Sequence, residues 1–472
     1  MSSTGPKSLS IRSALTFAAL SLPINAIGLA MAVYLPQHFA SNLGLDLALV
    51  GAAFMIVRAI DIPIDVVLGW AMDKTRTPLG RYRAWTLIGA PFLMAGTYFL
   101  FLAPAGISQA YLVSWTLVLY VGVSILDLSH RAWAASLAPT YDDRSRLFGV
   151  LTAVGVLGAA SIIAIPIVSE ARGVAEAGSA VVMGWFILAL TPLATLLVVV
   201  TTPEHITRDV AGQAFRLRDY WSLIARPTFL RVALTDLCLS FGPGWMSALY
   251  IFYFTDKRGF TTGQASILLA VYILAGIIGA PLIARIATRL SKHRTMMVAT
   301  IGYALTLLTL PLLPQGNLVL AAVPLFVTGV FASGFTLLGR AMTADVADEV
   351  RLEQGQQRAG LLYAITTMTT KISGALSIGV TFWVLAQVGY RADHSAPNSA
   401  YAIRNLEIVF LSGPVIFVLL GACCMIGYKL SAERHADIRR QLDERDALYD
   451  ETPILQSILL DASSPTSSDR SR

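Results

Sequence analysis

The sequence predicts an all-α membrane protein: twelve transmembrane helices arranged in two six-helix halves. Three observations lead there. The 472 residues are 55% hydrophobic and only 14% charged, with a mean hydropathy of +0.65, whereas soluble domains carry roughly 25% charged residues. Apolar runs of about 20 residues, enough to cross a hydrocarbon core, recur along the whole chain. Lysine and arginine collect in every second loop between those runs. Such an apolar excess does not fit inside one globular core, so much of the surface must face lipid. The formal net charge of +6 raises nucleic acid as a partner, but basic residues in short loops follow the positive-inside rule instead, and no nucleic acid is expected.

The first run, 13–35, is too long for a signal-peptide core and lacks a small-residue cleavage site, so it reads as a retained span. Runs at 47–71, 84–104, 110–137, 147–169 and 178–200 complete a first half, residues 1–200. The polar stretch 201–228 reads as a linker between the halves. The second half, 229–430, holds runs at 229–254, 263–287, 295–313, 317–343, 359–388 and 406–429. A charged tail, 431–472, follows; its first part, to Leu448, reads as helical and its Ser/Asp-rich end as disordered. Several runs exceed what a bilayer requires, which predicts tilted or broken helices. Pro23, Pro63, Pro166 and the Gly242-Pro243-Gly244 cluster are the candidate breaks. The three cysteines, Cys238, Cys423 and Cys424, fall within apolar runs and imply no disulfide framework.

Loops after even-numbered runs hold about seventeen Lys and Arg and those after odd-numbered runs about five, which predicts an inner-membrane protein with both termini cytoplasmic. The halves echo each other weakly: Gly69-x-x-x-Asp73 and its basic loop match Pro281-x-x-x-Arg285 and the loop Arg289–Arg294. Two six-helix halves suit a parallel-repeat transporter with its site at the repeat interface.

The ionisable residues inside the runs carry the functional reading, because charge in a bilayer is costly and normally faces a cavity or ion path. Arg58, Asp61 and Asp65 stand at i, i+3 and i+7 on the second helix and share one face. Two carboxylates with one arginine leave a net negative charge, and carboxylates supply the oxygens that hard cations prefer. The fourth helix carries Ser124, Asp127, His130 and Arg131; Asp127 and Arg131 are spaced for an internal ion pair, with substrate contact as the competing role. On the eleventh helix Lys371 lies too deep to snorkel, so its expected partner is a carboxylate of the second or fourth helix across the cavity. Asp236, near the start of the seventh helix, reads as a surface residue, and 345–358 as a charge-paired cytoplasmic loop. No phosphate loop, nucleophile elbow or metal spacing is present, and no enzyme activity or organic cofactor is expected.

In combination these residues resemble the glycoside–pentoside–hexuronide:cation symporters of the major facilitator superfamily, the melibiose permease group. Three segments carry the resemblance: Arg58-x-x-Asp61-x-x-x-Asp65 with Gly69, Asp73-x-Thr-Arg76-x-x-x-Gly80-Arg81-x-Arg83; Asp127, Trp133 and Arg144; and Asp345-Val-Ala-Asp348, Gly355, Arg358, Tyr363 and Lys371. The resemblance implies that Asp61, Asp65 and Ser124 bind the coupling cation, sodium or a proton. It further implies that Asp127 and Lys371, with Asn25 and Arg131 at matching positions, hold substrate, and that Arg58, Asp73, Arg76, Gly80, Arg81, Arg144, Asp345, Asp348 and Arg358 serve coupling or gating. The chain departs from the pattern where a sugar-gripping aspartate becomes Asn25, an assisting arginine Thr152, a stacking tryptophan Arg131 and an amide Ile64.

The expected function is therefore cation-coupled symport of a sugar, glycoside or sugar acid by alternating access, by a monomer in the lipid bilayer. Losing an aspartate at Asn25 and gaining Arg131 points to an acidic solute, and Ile64, which offers no ligand oxygen, leans toward protons. Two alternatives stand beside this: a same-fold carrier of another amphiphilic or anionic solute such as a lysophospholipid, and a non-transporting membrane sensor.

Overall fold

The computed structural model describes residues 10–138, 141–174, 176–204, 223–355, 359–393 and 397–446. Arg358, the middle of the linker and the chain beyond 446 lie outside them. Among the described residues, twelve helices are long and apolar enough to cross a membrane. They are Ile11–Asn42, Leu47–Lys74, Tyr82–Phe101, Gln109–Leu137, Arg146–Ala171, Gly178–Thr201, Pro227–Lys257, Thr262–Leu290, Lys292–Leu312, Leu318–Gln354, Gly360–Gln387 and Ala400–Cys424.

Local chemistry sets the ends. Asp46 starts the second helix by accepting from the Ala48 and Leu49 amides at 2.8 and 3.1 Å, and Thr261 with Gln264 forms a capping box on the eighth. The predicted breaks at Pro63, Pro166 and Pro243 are absent: each proline sits inside a continuous helix. Continuity fails elsewhere. The first helix turns at Ala19–Leu20, just before Pro23, and loosens into π-helical turns at Ala30–Tyr34 and His38–Asn42. The seventh ends in a corresponding π turn, Tyr253–Lys257. The tenth helix also runs on beyond its predicted end. Nothing in the sequence stops it before Gly355, whose φ of +67° closes it with a left-handed cap. Asp345 and Asp348 are thus helical, not loop, residues.

Helix packing repeats with a shift of six. The third packs on the fourth as the ninth does on the tenth, the second on the fourth as the eighth on the tenth, and the first on the fifth as the seventh on the eleventh. Between halves, the second helix meets the eleventh, the fifth the eighth and the first the seventh. The sixth, ninth and twelfth helices present bare apolar side chains, among them Leu193, Leu196, Leu305 and Ile416.

The halves close on each other at one end. There Tyr34 Oη and Ser266 Oγ are hydrogen-bonded at 2.9 Å, and Glu170 accepts from Thr261 Oγ1 at 2.8 Å and from Gly263 N at 2.9 Å. That carboxylate caps the N-terminus of the eighth helix, where unpaired N–H groups and the helix dipole favour an anion. Beside it Gly51 and Gly379 let the second and eleventh helices cross closely: a Cβ on Gly379 would lie 2.7 Å from Met55 Cβ. Toward the other end, which carries the 73–83 hairpin, Arg131, Thr152 and Thr370 are exposed and the space between the halves opens.

At the open end each half is strapped to itself. Glu204 accepts from the Arg81, Tyr82 and Arg83 amides at 2.6, 2.8 and 3.1 Å, capping the third helix. In the second half a helix at 432–446 lies along the end of the tenth, burying Ile438 and Leu442. His435 lies 3.1 Å from Asp348 and 3.4 Å from Asp345, and Arg351 pairs with Asp446 at 2.8 Å.

Candidate functional site

Where the halves meet, the second-helix triad and the eleventh-helix lysine form one cluster. Asp61 is wholly buried. Its Oδ1 accepts from Ser124 Oγ at 2.8 Å and its Oδ2 from Arg58 Nη1 at 3.1 Å. Lys371 Nζ stands 3.4 Å from Asp61 Oδ2 and also contacts Asp65 Oδ2. Arg58 is steadied from its far side by the Tyr120 ring, 4.4 Å from guanidinium carbon to centroid. Gly374, one turn beyond Lys371, leaves room for that guanidinium. The charges balance: two carboxylates against one guanidinium and one ammonium. Asp65 Oδ1 is the exception, buried with no hydrogen-bond partner.

This donor set fits a monovalent cation or a proton. Two carboxylates and a hydroxyl are hard oxygen ligands, and the unpaired Asp65 oxygen is a polar group whose burial is costly unless something binds it. The Lys371 ammonium contacts both carboxylates. A cavity of about 340 Å³ adjoins the cluster, lined by Arg58, Tyr120, Val123, Gly28, Gly244 and Ser377 among others. The Gly242-Pro243-Gly244 segment, expected to break the seventh helix, instead gives a helical wall without side-chain bulk at Gly244.

The other expected residues divide. Arg131 is ion-paired with Asp127, Nε to Oδ1 at 2.7 Å, both on the open side. His130 turns away: it is buried against Phe17, with Nε2 2.9 Å from the Phe17 carbonyl oxygen. Asn25 is exposed, packs on Gly155 and donates to Ser21 O at 2.9 Å. Lys371 meets the second-helix carboxylates rather than Asp127. Arg81 bonds Asp73 and, at 2.7 Å, Met72 O; Arg76 bonds Asp73 O at 3.0 Å; Gly80 turns the hairpin at φ +110°. Asp345 pairs with Lys292 at 2.6 Å, and Arg144 is exposed at the start of the fifth helix. Apart from that of Lys371, those contacts stay within a half. The residues that join the halves at the closed end, Glu170, Tyr34 and Ser266, were not predicted. Glu170 sits at the end of an apolar run beside Arg172, where a surface charge is the ordinary reading, and its partners are backbone and hydroxyl groups that leave no charge pattern.

Comparison with known proteins agrees with this architecture. The family described as MFS/sugar transport protein matches residues 16–432. An isoprimeverose transporter of Lactiplantibacillus pentosus is 23% identical over 89% of this chain and 90% of its own length. A sodium-dependent lysophosphatidylcholine symporter 1-B of Danio rerio is 21% identical over 93% of this chain and 90% of its own. Among solved structures, the nucleoside transporter NupG superposes with a TM-score of 0.65 at 18% identity, covering 89% of this chain and 100% of that one; this likeness concerns the fold.

Proposed function

The chain belongs to the MFS/sugar transport protein family, and from that premise we propose that it is a cation-coupled symporter of a sugar or glycoside. The observation that carries the coupling is the Asp61–Asp65–Lys371 bridge between the second and eleventh helices, with Asp65 Oδ1 left unpaired. Lys371 acts as a tethered counter-ion. With no cation bound it neutralises the carboxylates and lets the halves lie together; a cation or proton arriving at Asp65 competes with it and loosens the bridge. Occupancy of the site is thereby linked to the packing of the halves, as alternating access requires. The adjoining cavity holds the solute beside Arg58.

In this proposal the open end, with the basic 73–83 hairpin and the tail helix, faces the cytoplasm of an inner membrane, an inward-open bundle with both termini cytoplasmic; the positive-inside bias supports it. The protein acts as a monomer, each site being complete within one chain. A sugar acid is a second reading, favoured by the exposed guanidinium of Arg131. Its pairing with Asp127 supplies the neutralising charge internally and favours a neutral glycoside.

Uptake into proteoliposomes under imposed sodium or proton gradients tests the proposal, with isoprimeverose, p-nitrophenyl-β-glucuronide and lysophosphatidylcholine as probes. Sugar accumulation driven by one of the gradients is expected, and Asp65→Asn should abolish it while sparing counterflow. Accumulation by Asp61→Asn and Asp65→Asn at wild-type levels would refute the coupling role. Uptake of the lysolipid alone would refute the sugar.

A further inference from the structure

A second carboxylate lies at the depth of the charged cluster and takes no part in it. Asp236 is the tenth residue of the seventh helix, about 14 Å along its axis from the first, well inside the span Pro227–Lys257. Its depth is fixed by the eleventh helix. Ser373 Oγ donates to Leu237 O at 2.8 Å, while Thr369 and Thr370 hydroxyls donate to Asp236 Oδ2 at 2.6 and 3.1 Å. Asp236 is therefore level with Lys371, yet the lysine ammonium is spent on Asp61 and Asp65.

Among the described residues Asp236 forms no ion pair, and its Oδ1 accepts no hydrogen bond. Arg340 of the tenth helix is close enough to be felt electrostatically, and Gly339 leaves the space beside Oδ1 clear. A carboxyl group within a span without an ion-pair partner calls for a role. The approach to it is lined with hydroxyls: Tyr363, Thr367 and Thr370, spaced i, i+4 and i+7 on the eleventh helix, are all exposed and ascend from the open end. A carboxylate oxygen with vacant lone pairs at the end of a hydroxyl-lined face suits a solute that itself presents several hydroxyl donors.

We propose that Asp236, with Thr370 beside it, is a substrate-binding residue contributed by the second half, accepting hydrogen bonds from sugar hydroxyls and setting specificity without holding the coupling cation. This rests on the sugar-symport reading above and adds a contact to it. A purely structural role, clipping the seventh helix to the eleventh, is the competing account. Asparagine separates the two, because its amide oxygen still accepts from both threonines while the charge is gone.

The test is isoprimeverose and p-nitrophenyl-β-glucuronide counterflow by Asp236→Asn and Thr370→Val in proteoliposomes, at saturating coupling cation, with cation activation measured in parallel. Losing a hydrogen bond to a charged acceptor should raise the half-saturating sugar concentration on the order of 10- to 100-fold. Thr370→Val should give a smaller rise in the same direction, and the half-saturating cation concentration should stay at the wild-type value in both. Should Asp236→Asn fail to reach the membrane, Thr370→Val with the same split in constants carries the test. Where the wild type moves the sugar, an unchanged sugar constant in the variants overturns the Asp236 role alone, as does a shift confined to the cation constant. A wild type that moves neither sugar overturns the sugar reading and this contact with it.

Discussion

Replacing Gly379 by alanine should push the protein away from the form in which the end holding Glu170 and Tyr34 is closed. A Cβ at this position lies 2.7 Å from Met55 Cβ, 2.9 Å from Met55 Sδ and 3.2 Å from Gly51 O. Carbon atoms in comfortable contact are about 3.5–4.0 Å apart. The sulfur can swing aside, but Met55 Cβ and the Gly51 carbonyl are fixed to the second helix, so the two helices must part by roughly 1 Å where they cross. Inserting a methyl into a packed contact typically costs about 1–3 kcal/mol. If the crossing opens when the closed end opens, that strain falls on one state only and shifts the balance by about 5- to 150-fold. Met31, buried against the cavity, reports the change. In the Met31→Cys background, labelling by an impermeant maleimide applied from the closed side should accelerate by that factor when Gly379→Ala is added. Gly69→Ala is the control, since a Cβ on Gly69 meets nothing within 4 Å. Equal labelling rates in the two variants would refute the claim that this crossing is the closed-end contact on which the equilibrium turns.

Glu170→Gln should act in the same direction through electrostatics. It removes the charge at the N-terminus of the eighth helix, a favourable interaction of about 0.3–1 kcal/mol, so closed-side labelling of Met31→Cys should rise several-fold, and an unchanged rate would dismiss Glu170 as a latch. Lys371→Ala should strand buried carboxylate charge at a cost of about 3–5 kcal/mol. The thermal midpoint of purified protein should fall and recover in part with Asp65→Asn; a double variant no more stable than the single would argue against the pairing. Single cysteines in the 105–108 and 314–316 turns should label from outside intact cells, and labelling only after permeabilisation would invert the topology.

Helix count, fold class and the central cluster were legible in the sequence because each leaves a signal that packing does not alter. Apolar length sets a span, and Arg58, Asp61 and Asp65 are marked by charge where charge is costly. Lys371 was matched to a carboxylate by the same reasoning, although only three dimensions could choose Asp65 over Asp127. What escaped were features defined by relations between distant groups. Glu170 reads as a surface residue until the first turn of the eighth helix is seen to supply its donors. Gly51 and Gly379 are two glycines among 36, and nothing local reveals that they meet. Asp345 and Asp348 looked like loop residues because the apolar run ends before them, yet polar residues continue a helix as readily as apolar ones until a cap such as Gly355 intervenes.

These misses share a pattern that bears on mechanism. Contacts that strap a half to itself at the open end, Glu204 on the third helix and His435 and Asp446 on the tenth, involve charged groups and short loops. Among the described residues, the polar and close-packed contacts that join the halves at the closed end use hydroxyls, backbone amides and glycine surfaces. An interface that must open and close in each cycle cannot rest on many deep ion pairs, since breaking one leaves unpaired charge at several kcal/mol. A single carboxylate on backbone and hydroxyl donors, with close backbone contact, exchanges more readily for water. The ion pair between the halves that the structure does place in the interior is Lys371 with Asp61 and Asp65, the one for which a cation would substitute in the symport proposed above. Under that proposal its rupture would be compensated by the ligand, making the costly contact the coupled one.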